Sequence, residues 1–140
     1  MQGALIRFRF PLFALVLGLL GTVLVSDRGA HAAVTGDADR GAKIYERCIA
    51  CHSLTRNRSG PRHCGLIGRA AGTQEGYRYS KAMRTWGKVW TPETLDEFLE
   101  NPRRTVPRTR MGYAGVKDAG ERADLIAYLI RENSPGGSCP

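Results

Sequence analysis

Apolar positions along this chain fall into two patterns. Phe10 to Val25 is an almost unbroken apolar run, whereas from Asp37 onward apolar residues recur at three- and four-residue steps. The run follows Arg7 and Arg9 and leads into Asp27, Arg28 and Ala30-His31-Ala32, a small-x-small cleavage pattern. That order reads as a secretory signal over residues 1–33, cut after Ala32 or Ala33. The run is shorter than the roughly 20 residues a spanning helix needs. Cleavage, with no stable membrane insertion afterwards, is therefore the expectation, and retention as an anchor is the alternative. Either way the remaining domain, 34–132, is exported and periplasmic.

Three helices follow from the second pattern. Asp37 is placed to cap one in which Gly41, Ile44, Tyr45 and Cys48 share a face. Thr91-Pro92-Glu93 is a strong helix start, with Leu95, Phe98 and Leu99 as its apolar stripe and Asn101-Pro102 as its stop. A third helix begins at Asp118, with Glu121 completing a capping-box-like pair. It runs to Arg131 with a broad face of Leu125, Ile126, Tyr128, Leu129 and Ile130. Between the first two helices no strand alternation occurs, and one short helix near Lys81 to Thr85 is expected. The fold class is all-α. Residues 133–140 have the composition of a disordered tail.

Charge narrows the class of partner without fixing it. The full chain carries a formal +8. Losing residues 1–33 removes three cations and one anion, which leaves +6 on the domain. Such a surface suits an acidic protein partner, a nucleic acid or an anionic membrane, and export argues against nucleic acid.

The chemistry concentrates in Cys48-Ile49-Ala50-Cys51-His52. C-x-x-C-H is the attachment motif for haem c. Two thiols on one helical turn can each form a thioether to one edge of a porphyrin, and the adjacent histidine then falls under the iron. A zinc site needs four N/S ligands, and Cys64, Cys139 and His63 form no tidy second pair. A thioredoxin-like motif would follow a strand in a βαβ unit, which is absent here. The cofactor expected is one haem c, covalent through two thioethers. For a sixth iron ligand the candidates are Met111, in a polar loop with no helical periodicity, and Met83. Met111 has no core to fill from such a loop and is preferred. His/Met ligation raises the reduction potential and fills both axial positions, which suits electron transfer and works against peroxide or nitrite chemistry.

Gly41-x-x-x-Tyr45, the C-x-x-C-H motif, Gly60-Pro61, Gly65-Leu66-x-Gly68-Arg69, Tyr79-Ser80, Trp90, Asn101-Pro102, Met111 and 120–129 follow one another in a familiar order. Over residues 37–131 the chain resembles the class I c-type cytochromes, such as mitochondrial cytochrome c and its soluble bacterial counterparts. The resemblance implies the cytochrome c fold, with first and last helices crossing and short helices and loops around one haem. It implies His52 and Met111 on the iron and Pro61 accepting a hydrogen bond from His52. Arg69, Tyr79, Ser80, Trp90 and Thr109 are implied around the propionates, with Thr109 also positioning Met111 and Tyr113 near the exposed haem edge. Lys43, Lys81, Arg110 and Lys117 are candidates for a basic ring, or are plain surface. Two positions depart from the family pattern. Phe98 stands where a tyrosine commonly bonds the Met sulfur, and Cys64 stands where a histidine ties two loops. Cys64 is either a buried free thiol or the partner of Cys139.

The implied function is that of a soluble electron carrier, not an enzyme. It would run between a membrane quinol-oxidising complex and a terminal oxidase or photosynthetic reaction centre, docking as a monomer on acidic faces of these redox proteins. A haem catalyst, a bound donor subunit of one dehydrogenase and a membrane-tethered shuttle are the competing readings.

Overall fold

A computed structural model describes residues 35–140; the expected signal segment lies outside the described residues. Five helices are present among them: α1 (Ala38–Tyr45), α2 (Lys81–Arg84), α3 (Pro92–Glu100), α4 (Pro102–Thr105) and α5 (Ala119–Glu132). No described helix is long and apolar enough to cross a membrane.

The caps sit where the sequence puts them. Asp37 accepts from the amides of Asp39 and Arg40, Thr91 from that of Thr94, and Asp118 from that of Glu121. Each satisfies a donor that a helix start leaves open. The pair at α5 is only half a capping box, because the Glu121 carboxylate binds the Arg47 guanidinium instead.

α1 ends at Tyr45, earlier than the spacing of Cys48 suggests. Beyond it the backbone bonds tighten to a three-residue step, Arg47 N–H to Ile44 O and Cys48 N–H to Tyr45 O. The motif still closes one helical turn, since the His52 amide donates to Cys48 O at 2.9 Å. Asn101-Pro102 stops α3 and also starts α4. The Asn101 side chain accepts from the Arg104 amide, and Pro102 fills a first-turn position that needs no N–H.

α1 crosses α5 at a contact only glycine permits. A Cβ on Gly41 would lie 2.0 Å from Asp124 O and 2.7 Å from the Tyr128 Cβ. Tyr45 packs its ring on Tyr128, centroids 5.0 Å apart. At the helix starts, Asp124 accepts from the Asp37 amide at 2.6 Å and from Arg40 Nε at 2.7 Å. The Arg40 guanidinium, followed by that amide, holds the Asp124 carboxyl below its usual range. α3 packs on α5 and on α4. One isolated antiparallel bridge, Ala70 to Val89, draws the strand-free middle of the chain together.

Residues 133–140 are tied down, contrary to the disorder their composition suggests. Cys139 is disulfide-bonded to Cys64, which settles the choice between free and paired thiol. The Glu132 carboxylate takes the Ser138 amide and hydroxyl, and the Asn133 side chain accepts from the Leu66 amide at 3.1 Å. A polar tail of eight residues cannot bury apolar area of its own; a covalent link supplies what composition lacks.

Candidate functional site

The helices and loops close around one cavity of about 270 Å³. Its floor and walls are apolar: Leu66, Met83, Leu95, Phe98, Leu99, Leu125 and Leu129. All ten residues expected at the site, Cys48, Cys51, His52, Pro61, Arg69, Tyr79, Ser80, Trp90, Thr109 and Met111, line it.

His52 is buried, and its Nδ1 donates to Pro61 O at 2.7 Å. A carbonyl can only accept, so this bond puts the proton on Nδ1 and leaves the Nε2 lone pair free for a metal. Burial holds the His52 pKa below the ordinary histidine value, against the opposing effect of the Pro61 bond. The ring fits because residue 60 is glycine: a Cβ there would lie 2.5 Å from it.

Cys48 and Cys51 are free thiols, in contrast to the paired Cys64 and Cys139. Cys48 is partly buried, and burial pushes its thiol up to about 11, against the opposing pull of Arg47. Cys51 is exposed, so the motif occupies the rim where the cavity opens.

Arg69 reaches inward from the loop after Leu66. Its Nη1 donates to Cys64 O and to the Gln74 side chain, its Nη2 to Arg62 O, and its buried Nε has no partner. Desolvation pulls its pKa down and also raises that of Tyr79. A half-satisfied guanidinium at an apolar cavity calls for an anion, and the haem propionates are such groups. With the free imidazole nitrogen, the two rim thiols and the apolar walls, the donor set fits haem c.

Met111 is partly buried and packs against the core, its amide donating to Thr109 Oγ1 at 3.3 Å. Met83 lines the same cavity from α2 but is almost wholly buried within the core. Phe98 is also buried, with its ring centroid 5.2 Å from that of Trp90. Of the four candidates for a basic ring, only Arg110 lines the cavity. It is joined there by Arg47, and Lys117 is engaged elsewhere, donating to Glu100 O at 2.6 Å.

Sequence reasoning missed the part His63 plays. Its ring stacks on His52, centroids 4.3 Å apart, and its Nδ1 accepts from the Tyr45 hydroxyl at 3.0 Å. Burial, with His52 and Arg69 adding to it, holds its pKa well below the ordinary value, so it is a neutral polar group. Only its place two residues after Pro61 could have hinted at this.

A helical shell closed on a cavity with these ligands defines a class I c-type cytochrome. The cytochrome c family profile matches residues 38–131, and the chain belongs to that family. Cytochrome c 2.1 of Caenorhabditis elegans is 47% identical over 102 residues, covering 71% of this chain and 92% of its own length. Cytochrome c2 of Rhodomicrobium vannielii is 36% identical over 123 residues, covering 86% and 97%. Among solved structures, cytochrome cH from Methylobacterium extorquens superposes with a TM-score of 0.66 at 38% identity, covering 68% of this chain and 98% of that one. The family binds haem c covalently and carries electrons.

Proposed function

We propose that this chain is an exported, monomeric, single-haem electron shuttle. In this reading residues 1–33 direct export, and the domain acts in the periplasm. Cys48 and Cys51 hold one haem c through two thioethers, and His52 and Met111 are its axial ligands. Arg69, Tyr79, Ser80, Trp90 and Thr109 surround the propionates. The observation that carries the reading is His52, its Nδ1 engaged by Pro61 and its Nε2 free, on the wall shared by Met111 and the two unpaired rim thiols.

When bound, the haem supplies a reversible one-electron iron couple. The chain's own residues make that couple useful. Pro61 fixes the His52 tautomer and raises its basicity as a ligand. The leucine-rich wall excludes water, so few dipoles must reorient as charge changes. Arg69 offers an already oriented donor to a buried carboxylate. If His52 and Met111 both held the iron, no coordination site would remain for oxygen or peroxide, which suits a carrier and not an enzyme.

Electrons pass at the rim, where Cys51 is exposed and Arg47 and Arg110 lie at the cavity mouth. Arg47 is already paired with Glu121, so Arg110 is the cation there that favours brief, salt-sensitive docking on acidic faces of redox proteins. A membrane quinol-oxidising complex is the donor in this reading, and a terminal oxidase or photosynthetic reaction centre the acceptor.

Absorption spectra of protein exported with its haem-maturation machinery test the proposal. Sharp reduced bands that survive acid–acetone extraction, with a weak far-red oxidised band lost in Met111→Ala and kept in Met83→Leu, are the expected result. Haem that extracts would overturn covalent attachment, and a far-red band indifferent to Met111→Ala would overturn its ligation. N-terminal sequencing of the native protein checks cleavage near Ala32, and an intact segment would make it a tethered shuttle.

A further inference from the structure

Among the described residues eight have a positive φ, and seven of them are glycine. The exception is Arg108, at φ 70°. An L side chain is strained there, because its Cβ crowds the following carbonyl. Arg108 stands in the arm that carries Met111, three residues before it.

The turn leaves Arg108 no escape. The Thr109 amide donates to Val106 O at 3.0 Å, closing a four-residue turn from Val106 to Thr109. Pro107 presets the second position, and a positive φ at the third makes it type II, a place that favours glycine. Val106 is 2% exposed, so the turn's first residue is locked in the core. Thr109 is held in turn by the Met111 amide. Nothing compensates at the other end of the side chain: Arg108 is exposed and, among the described residues, its guanidinium makes no ion pair or hydrogen bond.

Past the turn, side chains hold the arm: Met111 and Tyr113 pack against the core, and Arg110 Nη1 donates to Arg78 O at 2.9 Å. From Arg110 to Gly115 no backbone–backbone bond is made, and the next is Val116 N–H to Leu99 O. There the close passage is made by glycine, since a Cβ on Gly115 would lie 2.2 Å from Glu100 O. One end of the arm is relaxed and the other is strained.

We propose that Arg108 is a positioning residue whose strained backbone sets how readily Met111 gives up the sixth position on the iron. Swinging the arm away opens the Val106–Thr109 turn and lets Arg108 relax. The closed state therefore gains less over the open one than it would with glycine at 108. A neutral nitrogen ligand in solution competes with Met111 more easily for that reason. This inference rests on Met111 being the axial ligand.

The test is an imidazole titration of the full-length, haem-loaded ferric protein, read as loss of the far-red methionine band. Arg108→Gly, Arg108→Asn and Arg108→Ala all remove the same charge but differ in tolerance of positive φ. The apparent Kd for imidazole is expected to rise about fivefold in Arg108→Gly, less in Arg108→Asn, and little in Arg108→Ala. Equal shifts in all three would assign the effect to charge and overturn the inference, as would no shift in Arg108→Gly. A parent protein with no far-red band would instead overturn the ligation itself, and this inference with it. Global unfolding in urea separates the two levels: a purely structural role moves the urea midpoint and leaves the imidazole Kd where it was.

Discussion

The imidazole of His63 lies against that of His52, ring centroids 4.3 Å apart and planes 23° from parallel, while its Nδ1 is hydrogen-bonded to the Tyr45 hydroxyl. A polar pair thus lines the cavity, in contact with the proposed iron ligand His52. Each partner satisfies the other, so the pair costs little intact and much when halved. Tyr45→Phe leaves the His63 nitrogen without its donor and is expected to destabilise by about 1–3 kcal/mol. Adding His63→Leu removes the orphan and should recover most of that loss. Urea unfolding of the two single variants and the double measures the coupling; additive losses would show that the pair does not act as a unit. The double variant should also raise the reduction potential, because less polar surroundings favour the less charged reduced centre.

Behind His52 the tolerance is steric. A Cβ on Gly60 would stand 2.5 Å from the ring, and the Gly60 amide also donates to Cys51 O at 2.7 Å. Gly60→Ala must push the loop or the ring, and either movement breaks the 2.7 Å bond to Pro61. The expected outcome is a large loss of correctly ligated protein, seen as weaker low-spin bands per polypeptide. A spectrum like the parent's would mean that the loop yields more freely than its contacts suggest.

The sequence was legible where structure is decided locally. Asp37, Thr91 and Asp118 cap the helices they were expected to cap, because an N-cap needs only its own side chain and the next three amides. The C-x-x-C-H residues were legible as one cluster because their spacing closes one helical turn. What was not legible depends on partners far along the chain. Nothing near Asn133 announces that its side chain will meet the Leu66 amide, and the pairing of Cys139 with a thiol 75 residues away was offered only as one of two states. The stacking of His63 on His52 arises only once Tyr45 and His52 are folded against it. Arg108 hides for the opposite reason: the residue type argues against the conformation its turn imposes.

The bond between Cys64 and Cys139 fastens the last residues of the chain to the loop that carries His63 and Arg69. Arg69 also donates to Cys64 O, so the fastening bears on the cavity as well as on the tail. Cross-linking over so long a separation lowers the entropy of the unfolded chain. Cys139→Ser is expected to lose about 2–4 kcal/mol in urea unfolding, and a reductant should have the same effect on the parent and none on the variant. Identical stability with and without reductant would mean that the fold holds this loop unaided.

Acid should attack the crossing of α1 and α5 first. Asp124 takes the Asp37 amide and the Arg40 guanidinium, and Glu132 takes Ser138, so both carboxyls sit below the usual range when folded. A carboxyl with a depressed folded pKa stabilises above its unfolded value, and that contribution drains away as pH falls through the folded one. Stability should therefore be level near neutrality and decline below the ordinary carboxylate range, about pH 4. Asp124→Asn removes the charge that Arg40 needs, so it should be less stable than the parent at pH 7 and lose less on acidification. Urea midpoints taken from pH 7 down to pH 3 give the comparison. Parallel curves for parent and variant would show that Asp124 is not among the groups acid attacks, leaving Asp37, Glu93, Glu121 and Glu132, also held below the usual range, to explain the decline.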